Sequence, residues 1–295
     1  MRFLASIIAM ICVLGTIAGP AGAASGQAHD DCDAEDPDRN IAGCTRIIED
    51  ESEGPTMRGT AYVARALAWQ AKGDADRALA DYADAIRLNP KDALAYNNRG
   101  LLWREKGDPD RAIADLTEAI RIDPLPHSDL AGNGHVNIYA NRGLAWESKG
   151  ELDRAIADFD EAVRLDARDA DAFLRRSQAF ISKQDAEHAV ADLDEVIRLD
   201  PDSASGHYLR GVVRYDSYMG FMGDGWVRKD DLERAIADFT EAIRLNDKAA
   251  SFRYARGLAW NTNGDRDRAI ADVAEAVRLA PDNAQFAAVL KQLKP

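Results

Sequence analysis

The sequence predicts an all-α fold, a solenoid of antiparallel helix pairs, and three observations carry that expectation. The first is a period: Pro90 to Pro124, Ala167 to Pro201 and Asp247 to Pro281 each span 34 residues, around the related stretches GDPDRAIADLTEAIRIDP, GELDRAIADFDEAVRLDA and GDRDRAIADVAEAVRLAP. Self-similarity at such a period marks a stacked repeat array. The second is helical spacing on both sides of a glycine in each period. The third is the recurrence of small residues, such as Gly100 and Ala112, where two helices must approach closely.

The first 23 residues stand apart. Arg2 is the only charge before the apolar run of residues 3–18, and GPAGAAS follows. A short basic end, an apolar stretch and small residues at Ala21 and Ala23 are the pattern of a signal peptide cleaved after Ala23. The run is short for a spanning helix, which needs about 20 residues. The expected mature chain is therefore exported, periplasmic or secreted, and is not expected to associate with membrane after cleavage.

Residues 24–57 form the next expected element. Export leaves Cys32 and Cys44 as an even pair in a compartment that permits disulfides, and we expect them to be bridged. DRNIAGCTRIIED reads as the second helix of a degenerate half-repeat, with Cys44 where Leu116 or Phe159 sits in full repeats. A bridge there would pin the end of the array, where fraying is greatest.

Six repeats are expected over residues 58–283. In the second, Tyr96, Gly100 and Trp103 mark one face of the first helix. Gly107 breaks it, Asp108 can cap the next helix, and Pro109 suits that helix's first turn. Ala112, Ile113, Leu116, Ala119 and Ile120 supply the facing stripe, and Pro124 ends the repeat. Two intervals are longer, Pro124 to Ala167 and Pro201 to Asp247, which places insertions near residues 125–135 and 214–225. Residues 284–295 then read as a helix capping the last apolar face.

These residues resemble the tetratricopeptide repeat family, whose 34-residue units are helix-turn-helix pairs. The aromatic, small, aromatic, Gly, Ala and Pro positions recur in register. Departures are local: Ala167 and Asp247 replace the closing proline, Ser177 the small glycine, and Gln184 the turn glycine, which is expected to loosen that turn. The resemblance implies a right-handed superhelix whose first helices line a concave groove.

Charge and chemistry narrow the function. A net charge of −14 argues against nucleic acid and against an anionic membrane surface. Six arginines, Arg65, Arg99, Arg142, Arg176, Arg210 and Arg256, recur in register, as do Asp81, Asp115, Asp158, Asp192, Asp238 and Asp272. Arg99 lies eight residues before Gly107 and Asp115 eight after it, so antiparallel helices bring each Arg to its own repeat's Asp. The histidines are scattered, with no metal spacing, no nucleophile elbow and no phosphate loop. The expectation is a protein with no enzyme activity, no cofactor and no metal.

Binding remains. The groove candidates, spaced i, i+4 and i+7, are Val63, Leu67 and Gln70; Asn97, Leu101 and Arg104; Ala140, Leu144 and Glu147; Leu174, Gln178 and Ile181; Tyr208 and Val212; and Tyr254, Leu258 and Asn261. Apolar anchors edged with amides suit an extended peptide or a partner helix. The expected function is a protein–protein interaction scaffold with a protein or peptide partner. The alternative is an accessory subunit of a cell-envelope enzyme or assembly complex.

The second insertion lies in RYDSYMGFMGDGW. Aligned backward from Asp231, taken as the counterpart of the capping Asp108, Trp226 falls where Trp103 sits. The first helix is expected to run on for about a turn, with Gly220, Gly223 and Gly225 looping back to dock Trp226. Tyr215, Tyr218, Met219, Phe221 and Met222 are then candidates for an adaptable partner contact.

Overall fold

The computed structural model describes residues 26–124, 138–220 and 230–294. The expected signal peptide, His127 and His135 of the first insertion, and Phe221, Met222 and Trp226 of the second lie outside the described residues. Within them there are fifteen helices and no strand.

Two compact bodies divide the chain, Met1–Glu151 and Leu152–Pro295. The first holds α1 (Gly26–Cys32), α2 (Pro37–Glu49), α3 (Pro55–Ala71), α4 (Ala75–Leu88), α5 (Ala93–Glu105), α6 (Pro109–Ile122) and α7 (Ile138–Ser148). The second holds α8 (Leu152–Leu165), α9 (Ala170–Ser182), α10 (Ala186–Leu199), α11 (Ala204–Tyr218), α12 (Asp231–Leu245), α13 (Ala250–Thr262), α14 (Arg266–Leu279) and α15 (Ala284–Leu293). Each body is a stack of helix pairs joined by short turns.

The turns follow from a few residues. At Gly107 the backbone enters the left-handed region, with φ of 77°, and Asp108 N–H donates back to the Trp103 carbonyl at 2.9 Å. Asp108 then caps α6 by accepting from Arg111 N–H at 3.0 Å. In the fourth repeat, Gln184 adopts φ of 60° and keeps the equivalent hydrogen bond, Asp185 N–H to the Phe180 carbonyl at 2.9 Å. The turn is therefore not loosened, as the substitution suggested. It holds the glycine geometry, at a strain of about 1 kcal/mol.

The second helices carry the core. Tyr82, Leu116, Phe159, Leu193, Phe239 and Val273 occupy one repeat position and are all buried. Burial of each stabilises by roughly 1.5–3 kcal/mol. Close approach is enforced opposite them. A Cβ on Gly100 would lie 2.9 Å from Leu116 Cγ and 3.2 Å from the Ala112 carbonyl oxygen, and one on Gly211 would lie 2.7 Å from the Phe239 ring.

At the N-terminus α2 matches the second helix of a repeat, and the expected Cys32–Cys44 disulfide joins it to α1. The half-repeat thus has a short first helix of its own. Gly43 stands where full repeats carry the recurring aspartate, and the carboxylate comes from Asp31 on α1 instead. Asp31 is buried and accepts from Arg39 Nε at 2.6 Å and from Arg46. At the other end, α15 lays Leu293, Val289 and Leu290 against Ala269 and Val273. Arg266 Nε donates to the Leu293 carbonyl at 2.8 Å, tying the helix down.

Candidate functional site

The recurring arginines lie in the interior of the stack. Arg99 donates from Nε and Nη2 to the two oxygens of Asp115, both at 2.7 Å. Arg65 with Asp81, Arg176 with Asp192, Arg210 with Asp238 and Arg256 with Asp272 repeat the bidentate geometry. In the remaining expected pair, Arg142 belongs to one body and Asp158 to the other. Hydrogen bonds donated to the carboxylates push Arg65, Arg99 and Arg176 above the ordinary arginine value, so these guanidinium groups stay charged. Burial pushes the Asp192 carboxyl up, and Arg176 offsets this only in part. With their fork geometry taken up in this way, the arginines are not a polyanion surface.

A second role was not foreseen from sequence. A further nitrogen, Nη1, reaches back to the preceding repeat: Arg65 to Thr45 at 2.8 Å, Arg142 to Thr117 at 3.1 Å, Arg176 to Asp160 and Arg210 to Asp194 at 2.7 Å, and Arg256 to Thr240 at 3.2 Å. The acceptor stands two residues after the recurring aspartate, or after Gly43 in its place. Before Arg99 that position is Ala83, which has no side-chain acceptor. The signal was present as Thr or Asp at a fixed offset, and only the stacking of repeats gives it meaning.

In the N-terminal body the first helices present Leu67, Leu101, Arg104, Ala140, Leu144 and Glu147 half-buried, as a lining surface would. Two candidates must be withdrawn from direct contact. Val63 is 4% exposed and packs with Tyr82 and Leu102, because the first repeat's helix turns that side toward its own partner helix. Asn97 is 2% exposed, and its carbonyl accepts from Asn141 of the next repeat at 2.9 Å. Gln70 is occupied in accepting the buried Tyr82 hydroxyl.

The C-terminal body presents Leu174, Gln178, Ile181, Tyr208, Val212, Tyr254 and Leu258 half-buried, with Asn261 exposed. Its aromatic members also bind repeats together. Tyr208 stacks on Phe252 with centroids 4.6 Å apart, and Tyr254 on Phe286 at 4.4 Å.

The fifth repeat absorbs its insertion by lengthening a helix. α11 runs on from Val213 to Tyr218 and ends before Gly220, whose φ is 78°. Arg214 thereby stands four residues after Arg210, the register of Trp103 after Arg99, and donates to Asp238 Oδ2 at 2.6 Å. The next helix starts early: Asp230, without a side-chain cap bond, precedes Asp231, which is fully buried rather than being the capping residue. Tyr215 packs inward and its hydroxyl meets Thr262 at 3.0 Å, so it is not a free contact. Tyr218 and Met219, at 39% and 41% exposure, are the large apolar side chains left open among the described residues. A polar crevice of about 300 Å³ between α10, α11 and α12 is lined by Glu187, Val190, Asp194, Arg214, Asp231 and Arg234.

Among the described residues, no group of three His, Cys, Asp or Glu side chains is arranged to hold a metal ion. His29 pairs with Glu53 at 3.1 Å, and His188 stacks on Phe180, replacing the Arg111-over-Trp103 contact of the second repeat.

A family model for the tetratricopeptide repeat matches residues 63–125, 141–204 and 223–284. Among solved structures, YrrB, described as a TPR protein with an unusual peptide-binding site, superposes with a TM-score of 0.54 at 19% identity, covering 72% of this chain and 97% of its own. A tetratricopeptide repeat protein from Parabacteroides merdae gives 0.60 at 18% identity, covering 90% and 96% respectively. PilF of Pseudomonas aeruginosa gives 0.63 at 14% identity, covering 81% and 100%. At these identities the likeness concerns the fold. No curated protein matches the chain.

Proposed function

Since the chain belongs to the tetratricopeptide repeat family, we propose that it is an exported, non-catalytic interaction scaffold that binds a peptide or partner helix on the first-helix faces of its repeats. Proteins of this family are generally interaction scaffolds. The observation that carries the finer reading is the row of half-buried apolar side chains on first helices, Leu67, Leu101 and Leu144 in one body and Val212 and Leu258 in the other, where Gln178 takes the equivalent position of its helix and Leu174 lies one turn before it. Such a row, edged by polar side chains, provides alternating anchors for an apolar peptide face. The peptide-binding site ascribed to YrrB is consistent with that use of the fold. The Cys32–Cys44 disulfide and the leader-like residues 1–23 support export.

The test is capture of partners by the protein and by a Leu101→Asp, Leu144→Asp variant. We expect the variant to keep its helical circular dichroism and lose capture. Unchanged capture on an intact fold would remove these first helices from the binding surface. A single stoichiometric complex with an envelope enzyme, rather than several peptide-like clients, would favour the accessory-subunit role. N-terminal sequencing of envelope-derived protein should begin at Ala24.

A further inference from the structure

Resting on that reading, a feature of the C-terminal body specifies the chemistry of the bound peptide. Asp216 lies four residues after Val212 and eight after Tyr208, so the three form one shallow ridge along α11. It is half-buried, yet no hydrogen bond or ion pair reaches it among the described residues. Its setting differs from that of the other half-buried and buried carboxylates nearby, Asp192 and Asp238, which are held by arginines at 2.6 Å.

Among the described residues, no cation stands on that face. Its members are Leu174, Gln178, Ile181, Tyr208, Val212, Tyr254, Leu258 and Asn261, all uncharged. Arg175 on α9 and Arg214 on α11 are committed, to Asp171 at 3.1 Å and to Asp238 at 2.6 Å. Burial pushes the Asp216 carboxyl above its ordinary value, with no positive charge among the described residues to pull it back, and the Tyr208 hydroxyl lies within its field. A partly desolvated carboxylate without a counter-charge is costly in a free protein and gains most when a cation arrives.

We propose that Asp216 receives a lysine or arginine side chain of a bound peptide, whose flanking apolar side chains rest on Leu174, Ile181, Tyr208 and Val212. The argument is one of charge complementarity. The ridge is apolar except for one uncompensated negative group, and the chain as a whole carries −14. The aliphatic stem of lysine or arginine suits the path across Val212 and Tyr208 to the carboxylate, burying methylene groups while the head is paired. Met219, three residues further on and exposed, extends the apolar surface beyond the charge.

The experiment selects binders of the purified protein from a random dodecapeptide display library. One retained sequence is then synthesised with Lys, Arg, Gln or Glu at its central charged position and titrated by fluorescence anisotropy. We expect enrichment of Lys and Arg, a preference of at least about tenfold for the Lys over the Gln peptide, and loss of that preference in Asp216→Asn with its fold intact. Peptides retained without cationic enrichment, or a preference that survives Asp216→Asn, overturn the assignment while leaving the scaffold reading in place. No peptide retained at all overturns both. A variant with Arg228 and Lys229 changed to alanine should bind the Lys peptide as the parent does. Tighter binding by that variant would show that the chain's own cations occupy Asp216, and would also overturn the proposal.

Discussion

The second and fifth repeats contain the same parts in different circuits. In the second, Asp115 holds one arginine, Arg99, and Trp103 lies beneath Arg111 with the guanidinium 4.5 Å from the ring. In the fifth, Asp238 holds two arginines, Arg210 and Arg214, with His207 Nδ1 at 3.8 Å. The lengthened helix places Arg214 in the register of the tryptophan, and the counterpart of Arg111, Arg234, turns to Asp230 at 2.6 Å. Where the second repeat has an aromatic residue at that register of its first helix, the fifth has a member of an ion network. An insertion between two helices is thus tolerated because the pairing that joins them depends on space and not on separation along the chain: Arg and Asp are 16 residues apart in one repeat and 28 in the other.

The largest test of that difference is removal of the shared acceptor. Asp238→Ala removes the acceptor shared by two guanidinium groups whose side chains are 17% and 13% exposed, leaves Asp194 as the carboxylate at Arg210, and should cost about 3–5 kcal/mol. Asp115→Ala strands one, at 21% exposure, and should cost less, about 3 kcal/mol. Thermal melts of both variants check the order. Equal losses would mean that Arg214 contributes nothing to the fifth repeat.

The next effect concerns packing. Gly100→Ala drives a methyl toward Leu116 and the Ala112 carbonyl, and Gly211→Ala drives one into the Phe239 ring. Each should cost about 1–3 kcal/mol. The two should differ in rescue. Phe239→Leu in the Gly211→Ala background should recover part of the loss, since a side chain can yield, whereas the backbone oxygen facing Gly100 cannot. Absence of any recovery would locate the strain elsewhere in the fifth repeat.

The same comparison explains what could be read in the residues alone. Periodicity located the helices because each repeat must bury the same stripe, and equidistance from Gly107 placed Arg99 on Asp115. The continuation of α11 was likewise legible, from the delay before Gly220. What could not be read depended on neighbours in space. Asn97 and Leu101 share the same helical spacing, but only the adjoining repeat, through Asn141, makes Asn97 interior. Counting backward from Asp231 did not show that the continuous helix also puts Arg214 in the tryptophan register of α11. Asp216 continued the i, i+4 series of Tyr208 and Val212 and was missed because the series was stopped where the insertion began.

The smallest expected effect separates Asp216 from its counterpart Glu105, each five residues after the close-packed glycine of its helix. Glu105 is exposed, while burial raises the Asp216 carboxyl above its ordinary value. The folded state therefore binds that proton more tightly than the unfolded state does. Its contribution to stability is present in full below the unfolded value, near 4, and is lost as pH rises through the folded value. At neutral pH the ionised group opposes folding. Asp216→Asn should raise the melting temperature at pH 7 by about 1–3 °C, a gain that shrinks as pH falls below about 4. Glu105→Gln should leave it unchanged at both. If Asp216→Asn lowered the melting temperature at pH 7, the carboxylate would have a stabilising partner in the free protein and would not be waiting for one.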